Sequence, residues 1–430
     1  MNRVAGTLFA VALLACAPVA ARSPSPRVPP PPPLPAVAAP TPIEDPSGHA
    51  LDTFAAGLRR AAAGRGQTHI LAWGASHTAG DFYTGFLRRA LQQRFGDAGH
   101  GLVLPGKPWR HYRHSDINLA SSDGWITDRA DKADARADGL YGIAGASVRS
   151  DSPADWVRVS TTRDNPVGRK AAVVEAWYLK QPGGGAFDVR IDGRKARRVA
   201  TAAESTAAGY ETFALRDAGH TLEIRPVGDG EVRLFGVLME RRKSGVVLDT
   251  VGIPGSRAEN ILQWNETLFR EQVARRRPDL VILSYGTNEA GDDDVPIADY
   301  ETALRAAVAR VRSAAPDASC LLIGPTDRPL PLPEGGYAPR PRRAEITAVQ
   351  RRVSAETECA FFDAAGLMGG EGGMLRWVAA NPPLGSSDHV HLTPEGYAVM
   401  GSALLRELLR PAAPASPRTP STTPCRTGCR

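Results

Sequence analysis

The sequence predicts an α/β protein with a parallel sheet, interrupted by an all-β insertion between the first and second strands of that sheet. Near both ends of the chain, short apolar runs alternate with segments of helical period, a pattern that favours parallel strands joined by crossover helices on both faces. Across about residues 120–243, short runs of alternating or buried-strand character are separated by turn sequences instead, which is typical of a sandwich or jelly roll.

The elements of the α/β part can be assigned in order. Residues 47–119 form its first section, with apolar residues at helical spacing across 51–68, a strand at 70–73 and a helix at 82–95. Residues 244–410 form its second section. Its predicted strands are 246–248, 280–283, a run from Cys320, and 360–363, and its predicted helices are 258–276, 297–314, 343–356 and 394–409. The predicted strands of the insertion are 157–160, 172–179, 187–191, 221–225 and 232–239.

Composition excludes some classes of protein. With 430 residues and 42% hydrophobic residues, the chain can build two or three domains with a full core. The 52 Lys and Arg residues exceed the 46 Asp and Glu residues by six, and the charges are interspersed along the chain. Neither a basic tract nor an aromatic nucleic-acid signature is present, so we expect no nucleic-acid partner.

The N-terminus has the pattern of an export signal, residues 1–21. A basic residue precedes the apolar run Val4–Ala15, which is shorter than the roughly 20 residues of a membrane span. Cys16 ends the sequence LLAC, which resembles a bacterial lipobox and would place a lipid anchor at that cysteine; the alternative is ordinary cleavage after Ala20 or Ala21. Both readings predict an exported protein of the periplasm or cell envelope.

Proline-rich and cysteine-bearing segments complete the organisation. Residues 22–46 are predicted to be an extended linker, and residues 411–430 a Pro/Ser/Thr-rich tail whose Cys425 and Cys429 close a small loop or stay unpaired. Cys320 and Cys359 each stand at the start of an apolar run, at the same end of neighbouring predicted strands. In an oxidising compartment this arrangement predicts a disulfide between them.

Ser76 is the candidate nucleophile. It lies in GASHTAGD, directly after the first strand and before a helix, where ligands of open parallel sheets bind and where its own N–H can stabilise an anion. By position alone it would also fit a helix N-cap.

The last loop supplies partners for that serine. In SSDHVHLTPEGY, Asp388 and His391 are three residues apart, so the carboxylate can orient one imidazole nitrogen while the other accepts the serine proton. His389 competes for the role of base, but the spacing to Asp388 favours His391.

Two further loops follow strands and carry candidate oxyanion donors. Gly255 in VGIPGSRAENI can bring a backbone N–H close to a ligand, and Asn288 in SYGTNEAGD offers a side-chain amide. Together with the N–H of Ser76 they would form a three-donor site for a tetrahedral acyl intermediate. Taken singly, Gly255 fits a turn glycine and Asn288 a helix cap.

These four blocks resemble those of the SGNH, or GDSL-like, hydrolases. The resemblance implies a flavodoxin-like three-layer α/β/α fold, with Ser76 as nucleophile, His391 as base, Asp388 as its partner, and Gly255 and Asn288 as oxyanion donors. It implies no metal and no cofactor. Ala75 departs from the family, which usually has Asp before the serine, and this predicts a less rigid turn around Ser76.

A narrower resemblance, to exported bacterial peptidoglycan O-acetylesterases, rests on His77, the signal and linker, and the inserted β domain, which in those proteins is carbohydrate-binding-module-like. It implies deacetylation of muramic acid in an O-acetylated cell-wall glycan. The alternatives are a polysaccharide O-acetyltransferase, a lipase or thioesterase on the same site, and a non-catalytic cell-wall binding protein in which Ala75 marks a decayed site.

Overall fold

The computed structural model describes residues 34–410. The predicted export signal with Cys16, most of the linker, and the tail with Cys425 and Cys429 therefore lie outside the described residues. Across residues 34–410, none of the helices is both long enough and apolar enough to cross a membrane.

Residues 34–410 fold into eighteen strands, nine α-helices and two short 3₁₀ helices. The strands are β1 (Gln67–Gly74), β2 (Gly99–Val103), β3 (Ile117–Ser121), β4 (Ile126–Arg129), β5 (Ala146–Ser150), β6 (Val157–Thr161), β7 (Ala171–Lys180), β8 (Ala186–Ile191), β9 (Arg197–Ala200), β10 (Ala207–Ala218), β11 (Thr221–Pro226), β12 (Val232–Glu240), β13 (Gly245–Gly252), β14 (Leu280–Ser284), β15 (Ser319–Ile323), β16 (Leu330–Pro331), β17 (Tyr337–Ala338) and β18 (Ala360–Phe362). The α-helices are α1 (Asp52–Ala62), α2 (Ser76–Ala79), α3 (Tyr83–Phe95), α4 (Glu266–Arg276), α5 (Ile297–Ala314), α6 (Pro341–Glu356), α7 (Ala364–Leu367), α8 (Gly373–Val378) and α9 (Pro394–Leu408).

A five-stranded parallel sheet has the order β13-β1-β14-β15-β18. Counted along the chain this is 2-1-3-4-5, the order of flavodoxin-like sheets. Successive residues of each strand point to opposite faces. In β1, Ile70 and Ala72 pack towards α1, α3 and α9, whereas Leu71 and Trp73 pack towards α4, α5 and α6. Helices thus cover both faces, and the sheet is buried between them.

Two antiparallel sheets occupy the chain between β1 and β13. One has the order β10-β7-β12-β5-β4, with β2 paired to β12, and the other has the order β3-β6-β11-β8-β9. Buried side chains from both sheets form a common core, among them Val174 and Leu234 from the first and Val159 and Phe187 from the second. The antiparallel structure that the sequence predicts here is present.

Three boundaries differ from the prediction. The antiparallel part starts before residue 120, because β2 pairs with β12 through Gly99–Val103, a glycine-rich run without alternation. The predicted helix 258–276 is divided into a 3₁₀ helix, Ala258–Gln263, and α4, because Asn265 caps α4 by accepting from the Leu268 N–H at 3.0 Å. Helix α1 ends at Ala62, well short of residue 68, because Gly64 and Gly66 take positive φ.

The last part of the predicted linker packs on the α/β part. Glu44 bridges to Phe361 on the edge strand β18, with backbone hydrogen bonds of 2.8 Å in both directions, and its carboxylate pairs with Arg351. Ala38 is buried in the core around α9. Residues 34–46 therefore extend the fold instead of separating from it.

Cys320 and Cys359 form a disulfide. Cys320 lies in β15 and Cys359 directly precedes β18, and Leu321 faces Ala360 in the parallel register. The two sulfurs thus meet between neighbouring strands at their amino ends, which confirms the predicted pairing.

Candidate active site

Ser76 begins helix α2 at the carboxyl end of β1, between the ends of β13 and β14. Gly74 allows this close approach, because a Cβ at that position would lie 2.7 Å from the Ser284 carbonyl oxygen. The turn is held from within: the Ala75 carbonyl accepts from the N–H groups of Thr78 and Ala79 at 3.1 and 2.9 Å, and the Ala75 N–H donates to Ser284. The Ala75 methyl is buried in the core beside Trp73.

The structure brings Ser76, His391 and Asp388 together in one hydrogen-bonded chain. His391 Nε2 lies 2.8 Å from Ser76 Oγ, and His391 Nδ1 lies 2.6 Å from Asp388 Oδ2. The other carboxylate oxygen of Asp388 accepts from the N–H groups of Val390 and His391 at 3.0 and 2.9 Å. The short loop before α9 thus fixes the carboxylate and the imidazole relative to each other.

The environment of Asp388 keeps it ionised. Partial burial raises its pKa, but the hydrogen bonds from the His391 ring and from the two backbone N–H groups outweigh burial and lower the pKa to about 2. A carboxylate that remains charged at neutral pH can orient the imidazole and stabilise its protonated form.

His389, the competing histidine, takes a different position. Its backbone has φ of 55°, and its ring lies against Tyr337, with ring centroids 4.1 Å apart. Its Nδ1 is buried without a hydrogen-bond partner in the described residues. His391, and not His389, contacts the serine oxygen.

Gly255 and Asn288 lie on the loops that follow β13 and β14. Gly255 has φ of 85°, a conformation that side chains other than glycine rarely adopt. The Asn288 Nδ2 donates to the Ser256 carbonyl at 2.9 Å, which draws the two loops together and leaves its second N–H free to donate. Within residues 34–410, the backbone N–H groups of Ser76 and Gly255 donate to no acceptor. Three donors are therefore available beside Ser76.

The side chain of Glu289 forms hydrogen bonds with the segments next to both of these residues. It is buried, and its carboxylate accepts from the Ala258 N–H at 3.0 Å and from the Gly286 N–H at 2.9 Å. Burial raises the pKa of this carboxyl group above its ordinary value. Because one side chain bridges the segments that follow Gly255 and precede Asn288, it sets their spacing.

The antiparallel part also contacts the Gly255 loop. Arg129, at the end of β4, donates to the Pro254 carbonyl at 2.6 Å and forms a two-pronged ion pair with Asp131, at 2.8 and 2.7 Å. Its guanidinium lies over the ring of Trp109. Residues from both parts of the chain thus position the loop that carries the Gly255 N–H.

His77 is buried directly behind the serine. Its Nδ1 lies 2.8 Å from the Tyr397 hydroxyl and its Nε2 lies 3.3 Å from Thr326 Oγ1. Burial and the nearby His391 lower the pKa of His77 to about 3. A neutral His77 adds no positive charge beside the His391 ring.

Sequence reasoning did not single out Glu289, Arg129 or Asp131 for the site. Glu289 directly follows Asn288, so adjacency was a weak signal for it. Arg129 and Asp131 lie in the highly charged segment TDRADKADARAD, which is typical of solvated surface. Their contact with the Gly255 loop follows from how the two parts of the chain pack, which local patterns do not encode.

The arrangement has the chemistry of nucleophilic acyl transfer. A serine hydroxyl bonded to an imidazole, which is itself oriented by a carboxylate, can lose its proton as it attacks. Free N–H donors near a helix start can stabilise the oxyanion that forms. Among residues 34–410, no cluster of three or more His, Cys, Asp or Glu side chains is arranged to hold a metal ion.

The chain matches a known family model. Residues 204–399 match the GDSL-like Lipase/Acylhydrolase family. These residues, 196 of the 430 in the chain, are similar to a GDSL-like acylhydrolase domain. The matched segment includes Gly255, Asn288, Asp388 and His391, while Ser76 lies outside it and joins them through the parallel sheet.

One solved structure resembles this chain in fold, and a second aligns with it at a much lower TM-score. A peptidoglycan O-acetylesterase is 24% identical with a TM-score of 0.70, and the alignment covers 86% of this chain and 99% of that one. A family two carbohydrate esterase from Cellvibrio japonicus is 14% identical with a TM-score of 0.27, covering 68% of this chain and 98% of that one. No curated protein matches the sequence significantly.

Proposed function

We propose that this protein is an exported serine esterase that removes O-acetyl groups from the muramic acid of peptidoglycan. The observation that carries the proposal is the hydrogen-bonded chain from Ser76 through His391 to Asp388, near two backbone N–H groups that donate to no acceptor within residues 34–410. An N-cap serine or a decayed site would not need a histidine on its hydroxyl and a carboxylate on that histidine.

In the acylation step, Ser76 Oγ attacks the acetyl carbonyl carbon while His391 Nε2 takes its proton. Asp388 stabilises the imidazolium, and the developing oxyanion accepts from the N–H groups of Ser76 and Gly255 and from the free amide N–H of Asn288. The tetrahedral intermediate then collapses. The bond to the sugar oxygen breaks, and that oxygen takes the proton from His391 and leaves as a free hydroxyl.

In the deacylation step, water attacks the acetyl-Ser76 ester. His391 takes a proton from the water and returns it to Ser76 Oγ when the second tetrahedral intermediate collapses, which releases acetate. The net reaction consumes one water for each ester bond. The chemistry needs no group beyond these side chains and backbone donors.

The proposed substrate is supported by similarity in fold to a solved structure and by the N-terminal sequence. The likeness in fold to a peptidoglycan O-acetylesterase over 86% of the chain and the export pattern of residues 1–21 both favour an acetylated wall glycan. The half-exposed loop of Asp388 and His391 leaves the serine reachable by a polymer that is too large for a closed pocket.

We extend the proposal to the organisation of the chain. The antiparallel part is proposed to be an inserted jelly-roll domain, carbohydrate-binding-module-like, that begins with β2 and interrupts an SGNH domain made of the residues before β2 and of residues 244–410. The protein is proposed to act in the periplasm or cell envelope, with a lipid on Cys16 as one form of attachment. The N-terminal peptide of the protein recovered from the envelope fraction, read by mass spectrometry, tests this attachment: lipidated Cys16 supports it, and a free N-terminus after Ala20 or Ala21 rules it out.

Acetate release tests the activity. The protein from about residue 34 onwards is incubated with O-acetylated peptidoglycan, with acetylated xylan and with an aryl acetate. Release from peptidoglycan well above that from xylan supports the proposal. Hydrolysis of the aryl acetate alone would show that the proposed substrate is wrong. Transfer of the acetyl group to an added glycan would show that the protein is a transferase instead of an esterase.

A further inference from the structure

One end of the antiparallel sheet β3-β6-β11-β8-β9 carries two adjoining clefts. Thr221 at the start of β11 pairs with Ser160 near the end of β6, and Leu222 pairs with Ile191 at the end of β8, so the loops beyond these strands meet there. The clefts have volumes of about 700 and 590 Å³ and share Asp192, Gly219 and His220. They include none of Ser76, Gly255, Asn288, Asp388 and His391.

The clefts are lined by basic side chains from two loops and from strands β9 and β10. Six of these side chains form no ion pair with any carboxylate in residues 34–410: Arg163, Arg169, Lys170, Arg194, Lys195 and Arg216. A seventh, Arg197, pairs with Glu211. Elsewhere on the same sheet Arg158 pairs with Glu223 and Arg198 pairs with Asp188, whereas Arg190 on β8 has no ion pair within residues 34–410. The clefts differ from the rest of the sheet because six cations without an ion pair line one concave surface.

Asp192 is the sole acidic residue in the lining, and its carboxylate is already engaged. One oxygen lies 2.8 Å from His220 Nδ1, and the other accepts from the Thr221 N–H at 2.9 Å. It forms no ion pair with the surrounding Lys and Arg side chains, and its single negative charge offsets one of their seven positive charges.

The clefts concentrate positive charge on one surface. They contain seven Lys and Arg residues and one Asp, whereas residues 34–410 as a whole contain 46 Lys and Arg residues and 46 Asp and Glu residues. An excess of six positive charges therefore lies on one concave surface of a part of the chain whose formal charges sum to zero. Clustered like charges repel, and a concave basic surface concentrates anions.

We propose that these clefts bind the carboxylates of a peptide-bearing wall glycan and so hold the polymer on the antiparallel part while the serine acts on it. This assignment of the ligand rests on the proposed function, because peptidoglycan carries carboxylates on its stem peptides. A neutral acetylated polysaccharide offers no such groups, so the clefts would favour an anionic wall polymer over xylan.

A matched pair of variants tests the clefts. The cleft variant replaces four unpaired arginines and the control variant replaces four paired ones, so that both lose the same charge. The cleft substitutions are Arg163→Gln, Arg169→Gln, Arg194→Gln and Arg216→Gln; the control substitutions are Arg158→Gln, Arg198→Gln, Arg305→Gln and Arg352→Gln. Binding to purified insoluble peptidoglycan is measured by co-sedimentation, and hydrolysis of an aryl acetate is measured in parallel.

We expect the cleft variant to bind peptidoglycan on the order of tenfold more weakly, and the control variant to bind like the parent protein. Raising the salt from about 50 mM to about 500 mM should weaken the parent's binding, because exposed charges are screened. Both variants should hydrolyse the aryl acetate at the parent's rate. Equal binding by the cleft variant, or an equal loss in the control, would overturn the proposal.

A second measurement identifies the anion. Peptidoglycan whose carboxylates have been converted to amides, with a carbodiimide and a neutral amine, should bind no better than acetylated xylan, and full binding to it would refute the carboxylate assignment. Acetate release from the unmodified peptidoglycan separates the two proposals. If binding depends on the clefts but no acetate is released, the proposed activity is wrong and the binding site stands. If acetate is released but the cleft variant binds like the parent, this inference is wrong and the proposed activity stands.

Discussion

At the residue scale, the orientation of Asn288 is fixed by one hydrogen bond, because its amide donates one N–H to the Ser256 carbonyl. In the proposed mechanism, the other N–H of this amide donates to the oxyanion. An amide held in advance does not have to reorganise when the oxyanion forms, and this preorganisation is the source of most of the electrostatic stabilisation in such sites.

Asn288→Asp tests this donor. The replacement keeps the size of the side chain but removes both N–H groups and adds a negative charge near the oxyanion. We expect kcat on an aryl acetate to fall by about 10²–10³ or more, with thermal stability changed far less. Asn288→Ala, which adds no charge, should lose about 10²–10³. An alanine variant with the parent's rate would exclude Asn288 from the mechanism.

The candidate site residues could be predicted from the sequence. Ser76, Gly255 and Asn288 each follow an apolar strand, and Asp388 and His391 are close in sequence, so strand assignment and spacing were enough to bring them together. The contacts of Glu289 and Arg129 could not be predicted from the sequence, because they depend on backbone N–H and carbonyl groups of distant loops.

At the scale of elements, β4 contributes to the site through Arg129. Its guanidinium joins the Pro254 carbonyl to Asp131, so the antiparallel part sets the position of the loop that carries Gly255. Arg149 on β5 provides a matched control. It pairs with Asp128, the neighbour of Arg129 on β4, and forms no hydrogen bond with the Gly255 loop in the described residues.

Arg129→Ala should therefore lower kcat about tenfold to a hundredfold, because a small displacement of an oxyanion donor is costly. Arg149→Ala should keep the parent's kcat. Steady-state kinetics on an aryl acetate measure both, with circular dichroism to establish folding. If the two variants lose the same activity, Arg129 contributes to stability and not to positioning.

A second prediction at the scale of elements concerns the disulfide between β15 and the start of β18. It closes a loop with a sequence separation of 39 residues, and both cysteines are buried. Replacing both by alanine should lower the free energy of unfolding by about 3–4 kcal/mol. Urea unfolding of parent and variant measures this difference, and a parent midpoint that does not move on reduction would contradict it.

Element prediction succeeded where the side-chain period was strong. The five parallel strands and the strands β6, β7, β8, β11 and β12 were predicted because buried or alternating apolar runs mark them. β2 and β10 were not: Gly99–Val103 contains two glycines, and Ala207–Ala218 is exposed or half-buried along most of its length. Their pairing partners, not their own patterns, make them strands.

At the scale of the whole molecule, buried histidines connect stability to pH. Burial is the main cause that lowers the pKa of His77 to about 3, of His114 to about 4, and of His100 well below its ordinary value. The folded protein keeps them neutral, whereas the unfolded chain protonates them below about pH 6.5. Protons thus bind preferentially to the unfolded chain, and stability falls as the pH decreases from about 6.5 towards 4.

Each such histidine contributes up to about 1.4 kcal/mol per pH unit in that window. Urea unfolding at several pH values between about 7 and 4.5 measures the slope. His114→Asn should reduce the slope, and His111→Asn, which changes an exposed histidine, should leave it unchanged. A stability that stays constant across this window would show that the buried histidines do not control it.

The central claim is that Ser76 is an activated nucleophile. Incubation with a fluorophosphonate, followed by intact-mass and peptide mass spectrometry, tests it most directly. We expect a single adduct on the peptide that contains Ser76, absent from Ser76→Ala and formed far more slowly in His391→Ala. A parent protein that remains unlabelled, or that is labelled on another serine, would contradict it.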